Sequence, residues 1–544
     1  IREATITTGS YNRARTTIDV GDKISPDAAF RLNTMYEYSE SFRDYFDLQR
    51  YGLNPTLAFR PNDNTKISLS YEYFKDDRVV DRGVPSFIGT PGRPSNGPIE
   101  NFFGNPNVSQ SDFDGQSATA TLEHRTESGV NIRNHTFLAT YDKIYSNTFA
   151  NSPVIFPGSC GDLSGCVTLG GYKNGTQRDT AVNQTDITYL WDMGNGIRHT
   201  FLGGAEFSYQ ETDNYRNNAS FGLPGTLSYV VPFDHPTTFV PVFYDQFQRD
   251  WNTEVSTYSA YIQDQLEITK YFELIGGIRY ERFDVAFDGR TAGVNGGNPQ
   301  SISRIDNVFP YRVGAVFKPI ETTSFYITTA DSFLPGAGDQ FGNLTVINGQ
   351  TLEPEEFKNK EFGFKWEVAP RLLFTGALYQ LDRSNQIVPT SPTTSAQLGL
   401  TRTRGGELAL TGYITDQWQV SAGWGHQIAT IIESGTNPFE GNNVPFVPHN
   451  LVSMWNRYQF LSWFGSGLGI IYQDSSFAEP NNAVELPAFT RVDAALYFDF
   501  NENWRAQVNV ENILDEKYYA SAHNNNNISP GAPRQAFVTL RAKF

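Results

Sequence analysis

Long apolar runs are missing from this chain of 544 residues. No stretch reaches the roughly 18 apolar residues that a spanning helix needs, and mean hydropathy is -0.42, so membrane-crossing helices are excluded on length. A β-barrel escapes that test, because its strands need only about 9 to 11 residues, half of them polar. Cysteine is scarce too. The only two, Cys160 and Cys166, sit in the stretch SCGDLSGCV, which supplies too few ligands for a metal site and suits a small disulfide loop in an oxidising compartment, worth about 2 kcal/mol by loop entropy. Basic residues are outnumbered: 42 Lys and Arg against 59 Asp and Glu leave a net charge of -17. Such a surface cannot displace counterions from phosphates, which excludes a nucleic-acid partner.

Catalytic signatures are lacking as well. The histidines, His124, His135, His199, His235, His426, His449 and His523, are scattered without HExxH spacing, and there is no GxSxG elbow. Gly293–Gly297 (GVNGG) lacks the lysine and following helix of a phosphate loop. The expectation is a protein that is not an enzyme and has no cofactor. No linker-like break interrupts the chain, so residues 1–544 read as one domain. The opening IREATITTGS has neither a starting methionine nor a signal peptide and reads as a mature or trimmed product.

What the chain does contain is amphipathic strands. In the last stretch, QAFVTLRAKF, Ala536, Val538, Leu540, Ala542 and Phe544 share one face, while Gln535, Thr539, Arg541 and Lys543 share the other with Phe537. The same alternation runs through Ile67 to Tyr73, through Phe272 to Glu281 with Ile275 as the exception, and through Arg491 to Asp499. Short polar turns (SPD at 25–27, PNDN at 61–64, ESG at 127–129, MGNG at 193–196, TDQ at 415–417, NEN at 501–503) alternate with long connections at 78–113, 150–178, 214–252, 334–357 and 434–448. One side of short turns and one of long loops is the pattern of an outer-membrane barrel, with short turns in the periplasm. Counting up and down from Ala4 predicts an all-β fold, a closed antiparallel transmembrane barrel of about twenty-two strands with the even positions from Ala536 to Phe544 facing lipid. An aromatic content of 14% suits interfacial girdles.

Taken together, GSYNRARTTIDVGDKISPDAAFRLN (Gly9–Asn33), DRGVPS (Asp81–Ser86), YITTADSFLPG (Tyr326–Gly336), LEPEEFKNKEFGFKWEV (Leu352–Val368) and NVENILDEKYY (Asn509–Tyr519) resemble the barrel of TonB-dependent siderophore receptors, nearest the catecholate branch. Each motif is weak alone, but their order over the whole chain is specific. The resemblance implies a monomeric bacterial outer-membrane receptor for ferric siderophores, in contact with lipid and lipopolysaccharide and energised by TonB through a plug domain. That plug would lie outside this chain. Lumenal charges (Arg279, Glu281, Arg491, Asp493, Arg541, Lys543) would then pair with it, and the barrel alone would leak. Another TonB-dependent cargo and a passive pore are the competing readings. A ferric catecholate is anionic and aromatic, so it calls for Arg or Lys for charge and aromatic rings for stacking. The outer-loop candidates are Arg82, Phe87, Arg93, Tyr244, Trp251 and Arg383. The iron arrives chelated, so no protein metal ligand is expected.

Overall fold

A computed structural model describes residues 2–156, 165–194, 196–290, 300–335, 353–389, 395–435 and 438–544. Cys160, the glycine cluster at 293–297 and most of the connection at 334–357 lie outside the described residues. The wall is a closed antiparallel barrel of 22 strands. The sheet holds 24 hydrogen-bonded segments, but Tyr229–Pro232 is a short loop strand, and Gln300–Val308 and Tyr311–Ile320 are two halves of one wall strand interrupted at Pro310. Proline has no N–H to place in a ladder, so the break falls there. Closure comes from the first and last strands, Arg2–Gly9 and Gln535–Lys543, which pair from Glu3↔Lys543 to Gly9↔Phe537. With no edge left, every wall strand satisfies its backbone groups on both sides, as a bilayer demands.

The two faces are identified by burial and charge. Around the ladder Thr539–Thr7–Arg15–Glu37–Arg50, Glu37 is 2% exposed and is held by Arg50 at 2.8 Å, Arg13 at 3.2 Å and Arg15 at 3.8 Å. That face is the lumen. On the opposite face Leu540 sits across from Ile6, and both are exposed, as lipid-facing side chains are. Trp191, Trp366, Trp418, Trp463 and Trp504 also face outward, each at or within a few residues of a short turn. They form an interfacial belt that marks the periplasmic side.

The lumenal charges pair within the wall: Arg279 with Glu281 (3.0 Å) and Glu206 (3.2 Å), Arg491 with Asp493 (2.7 Å), and Arg541 with Glu3. Glu281 and Asp493 lie two residues along the same strand as their arginines, Glu3 on the neighbouring strand and Glu206 two strands away, so the wall itself supplies these partners.

The short turns lie where the sequence places them, but two long connections are shorter than expected. Wall strands Cys166–Gly194, Ile197–Phe221 and Val242–Thr269 extend well into 150–178 and 214–252. Above the bilayer the outward face meets water, so these extensions lose the oily alternation and read as loop. The loops themselves hold the apolar core. Val84, Phe103, Val154, Phe233, Leu486 and Ile528 belong to one buried cluster that joins the connections at 80–109, 151–156, 222–241, 474–488 and 512–534 and takes in Phe221 from the tip of its wall strand. These form a cap at the outer end.

Candidate ligand site

Four neighbouring strands build the outer lumenal wall: Asn131–Ala150, Cys166–Gly194, Ile197–Phe221 and Val242–Thr269. Register carries the lumenal face from Arg50 through Asp76, Phe113, Lys143 and Thr176 to Asn214. Period two then puts Tyr145, Asn147, Phe149, Tyr172, Asn174 and Arg216 on that same face. Arg249 lies directly opposite Arg216.

Tyr172 is the centre. Its ring lies 5.9 Å from that of Tyr145 and 6.0 Å from that of Phe149. The Arg216 guanidinium sits 3.9 Å from the Tyr172 ring centroid, and Arg82, reaching in from the cap, donates to its hydroxyl at 3.0 Å. Arg82 also lies 5.1 Å from the Phe149 ring and donates to Asn527 Oδ1 at 3.4 Å. Asn174 Oδ1 accepts from both Arg216 Nε (3.3 Å) and Arg249 Nη2 (3.1 Å), while Arg249 Nε donates to Asn214 Oδ1 at 3.0 Å. Trp251 stands under Arg249 at 4.7 Å.

Among the described residues, no carboxylate pairs with Arg82 or Arg216; their contacts are phenol, amide and ring. Cation–π contacts offset part of that cost, about 0.5–2 kcal/mol each, but neutral partners do not cancel the repulsion between like charges around one ring. An anion would. Asn147 adds a second unmet demand: it is 0% exposed, and neither its Oδ1 nor its Nδ2 has a hydrogen-bond partner among the described residues. His523, on the cap hairpin Tyr519–Asn524/Asn527–Pro530, keeps a solvent-exposed edge. Desolvation, then the charges of Arg82 and Arg216, push its pKa down to about 4, so at neutral pH it adds no charge.

Of the sequence-derived candidates, the structure brings Arg82 and Trp251 to this cluster. Arg383 lies on another part of the lumenal wall, bound to Glu355 at 2.7 Å and stacked 5.1 Å from Phe357. Phe87 packs in the cap against Phe156 and Phe233. Arg93 is exposed and pairs loosely with Glu485 at 3.6 Å. Tyr244 donates its hydroxyl to the Val108 carbonyl at 3.1 Å, tying wall to cap. Cys166 is disulfide-bonded, with Cys160 outside the described residues. Tyr145, Phe149, Tyr172, Arg216 and Arg249 were not among the candidates. The last three fall in GGYKNG, NYRNN and FQRDW, where cation and aromatic stand close together; that proximity was the available signal.

Residues 51–513 match the family described as TonB dependent receptor-like, beta-barrel. The chain belongs to the TonB-dependent receptor β-barrel family. It is an outer-membrane receptor barrel, and its family is not one of enzymes. It is 29% identical to the catecholate siderophore receptor Fiu of Escherichia coli K12, covering 100% of this chain and 76% of that protein. The crystal structure of the ferric-catecholate import receptor Fiu in its closed form superposes with a TM-score of 0.86 at 27% identity, covering 100% of this chain and 81% of that one. The siderophore receptor PiuA from Acinetobacter baumannii superposes with a TM-score of 0.90 at 24% identity, with the same coverage, a likeness of fold.

Proposed function

We propose that this barrel is a receptor for a ferric siderophore of the catecholate type, taken up with energy from TonB. One observation carries the reading: Arg82 and Arg216 converge on the clustered Tyr145, Tyr172 and Phe149 rings inside the mouth of the barrel with no carboxylate partner among the described residues. A ferric tris-catecholate is a trianion whose faces are aromatic, and it fits such a site by charge and by stacking. A neutral hydroxamate complex satisfies neither. The names of the 29%-identical relative and its crystal structure support the same class of ligand.

The test is binding in detergent, followed by tryptophan fluorescence, with the ferric complex of 2,3-dihydroxybenzoate against a ferric tris-hydroxamate. Selective binding of the catecholate, weakened about tenfold or more by Arg82→Gln or Arg216→Gln, is expected; equal affinity for both complexes would overturn the catecholate reading. Iron accumulation in cells that depends on TonB tests the energised step.

A further inference from the structure

Arg82 projects from a segment held with unusual thoroughness, and the residue that holds it lies in a different loop. Arg43, on the short connection at 41–46, is 5% exposed. Its Nε donates to Asp81 Oδ2 at 2.5 Å and its Nη2 to Asp81 Oδ1 at 2.9 Å. The same Nη2 reaches the Gly83 carbonyl at 3.1 Å, and Nη1 donates to the carbonyl of Ile99. One guanidinium thus fastens the residue before Arg82, the residue after it, and the far side of the same loop. Gly83 closes the bracket. Its backbone lies at φ +78, its N–H donates to Asp81 Oδ1 at 3.1 Å, and a Cβ there would stand 1.9 Å from the Ile528 carbonyl oxygen. Val84 then exchanges two backbone hydrogen bonds with Ile528, at 2.8 and 2.9 Å.

A long cation on a loop ordinarily samples many rotamers and loses that freedom on binding. Here the backbone on both sides of Arg82 is fixed before any ligand arrives. We infer that Arg43 is a positioning residue for ligand binding: through Asp81 and Gly83 it sets the direction in which Arg82 enters the site. This rests on the reading of the Arg82–Tyr172 cluster as the ligand site. Lysine cannot replace it, since a point ammonium cannot grip a carboxylate with two donors and reach two carbonyls as well.

The experiment is a double-mutant cycle on ferric 2,3-dihydroxybenzoate affinity, using the full chain with Arg43→Met, Arg82→Gln and the pair. Asp81→Asn serves as a second variant, because it keeps the size of the side chain while removing the charge and turning one of the two acceptor oxygens that Arg43 grips into a donor. Barrel assembly is checked by heat-modifiable electrophoretic mobility. Arg43→Met, Arg43→Lys and Asp81→Asn should each weaken binding about fivefold when Arg82 is present, and Arg43→Met by less than about twofold in the Arg82→Gln background. An equal loss with and without Arg82 would mean that Arg43 merely stabilises the cap, and would overturn the inference while leaving the ligand site standing. No loss from Arg82→Gln itself would remove the site and the inference together.

Discussion

The cap and the wall of this protein follow opposite rules. On the lipid side of the wall the large apolar residues are exposed, with Leu378 at 64% and Ile327 at 60%, whereas in the cap Ile528 is 0% exposed and Phe233 6%. The wall turns its polar face inward and lets lipid cover the other, so its stability rests on a closed ladder and a matching solvent. The cap stands in water and has to bury apolar surface against itself, as a soluble domain does. A substitution therefore has opposite meanings in the two regions, and four outcomes test whether they are energetically separate.

The largest effect is expected in the cap. Phe233→Ala removes a ring that packs against Phe87 and Phe103 in the buried cluster and should cost about 3–5 kcal/mol of local stability. Limited proteolysis should show the outer loops cut faster while the heat-modifiable band of the barrel persists; loss of the band would join the two regions into one cooperative unit. Next is Leu378→Arg, which places a cation on the lipid-facing side and should cost about 2–4 kcal/mol near the midplane. Urea unfolding in lipid vesicles reads that loss, and cap proteolysis should be unchanged. Smaller is Asn147→Leu, where wall meets cap. Replacing an unpartnered buried amide by an apolar side chain of similar size should raise stability by about 1 kcal/mol, read as slower loop cleavage, and should weaken catecholate binding if the amide serves the ligand.

The smallest effect concerns His523. Its pKa in the fold is pushed down to about 4 from 6.5, so the unfolded hairpin takes up a proton before the folded one does. The imidazole's contribution is complete above 6.5 and is lost as pH falls through about 4. Hydrogen exchange in the Tyr519–Pro530 hairpin should accelerate over that window, and His523→Gln should flatten the change.

The wall was largely legible in the sequence because lipid imposes a strict alternation: the faces of Leu540 and Arg541, the short turns and the strand number all follow from period two. The cap was not legible, since its cluster joins residues as distant as Val84 and Ile528 and no local pattern encodes that contact. The site falls between these cases. Arg82 was legible from the motif DRGVPS and Trp251 from residue type, but Tyr172 and Arg216 stand on strand extensions whose outward neighbours are polar, so nothing marked them as wall. Asn147 carries no sequence signal at all. Only a structure reveals that its amide is enclosed and unanswered.

The strands around this barrel are far from equal in length. Cys166–Gly194 runs 29 residues and Val242–Thr269 runs 28, while Arg2–Gly9 and Trp504–Glu511 run 8 each. At about 3.3 Å per residue and a tilt near 45°, the tall side rises roughly 65–70 Å and the short side about 19 Å, against an apolar band of about 25 Å. The tall side, which carries Tyr172 and Arg216, therefore stands like a mast well beyond the apolar band. For a receptor that takes an anionic ligand, as proposed above, such a mast would meet the ligand before the negative field of the membrane surface could repel it. The architecture would then lift capture away from the membrane surface and leave the descent toward the bilayer to take place inside the barrel.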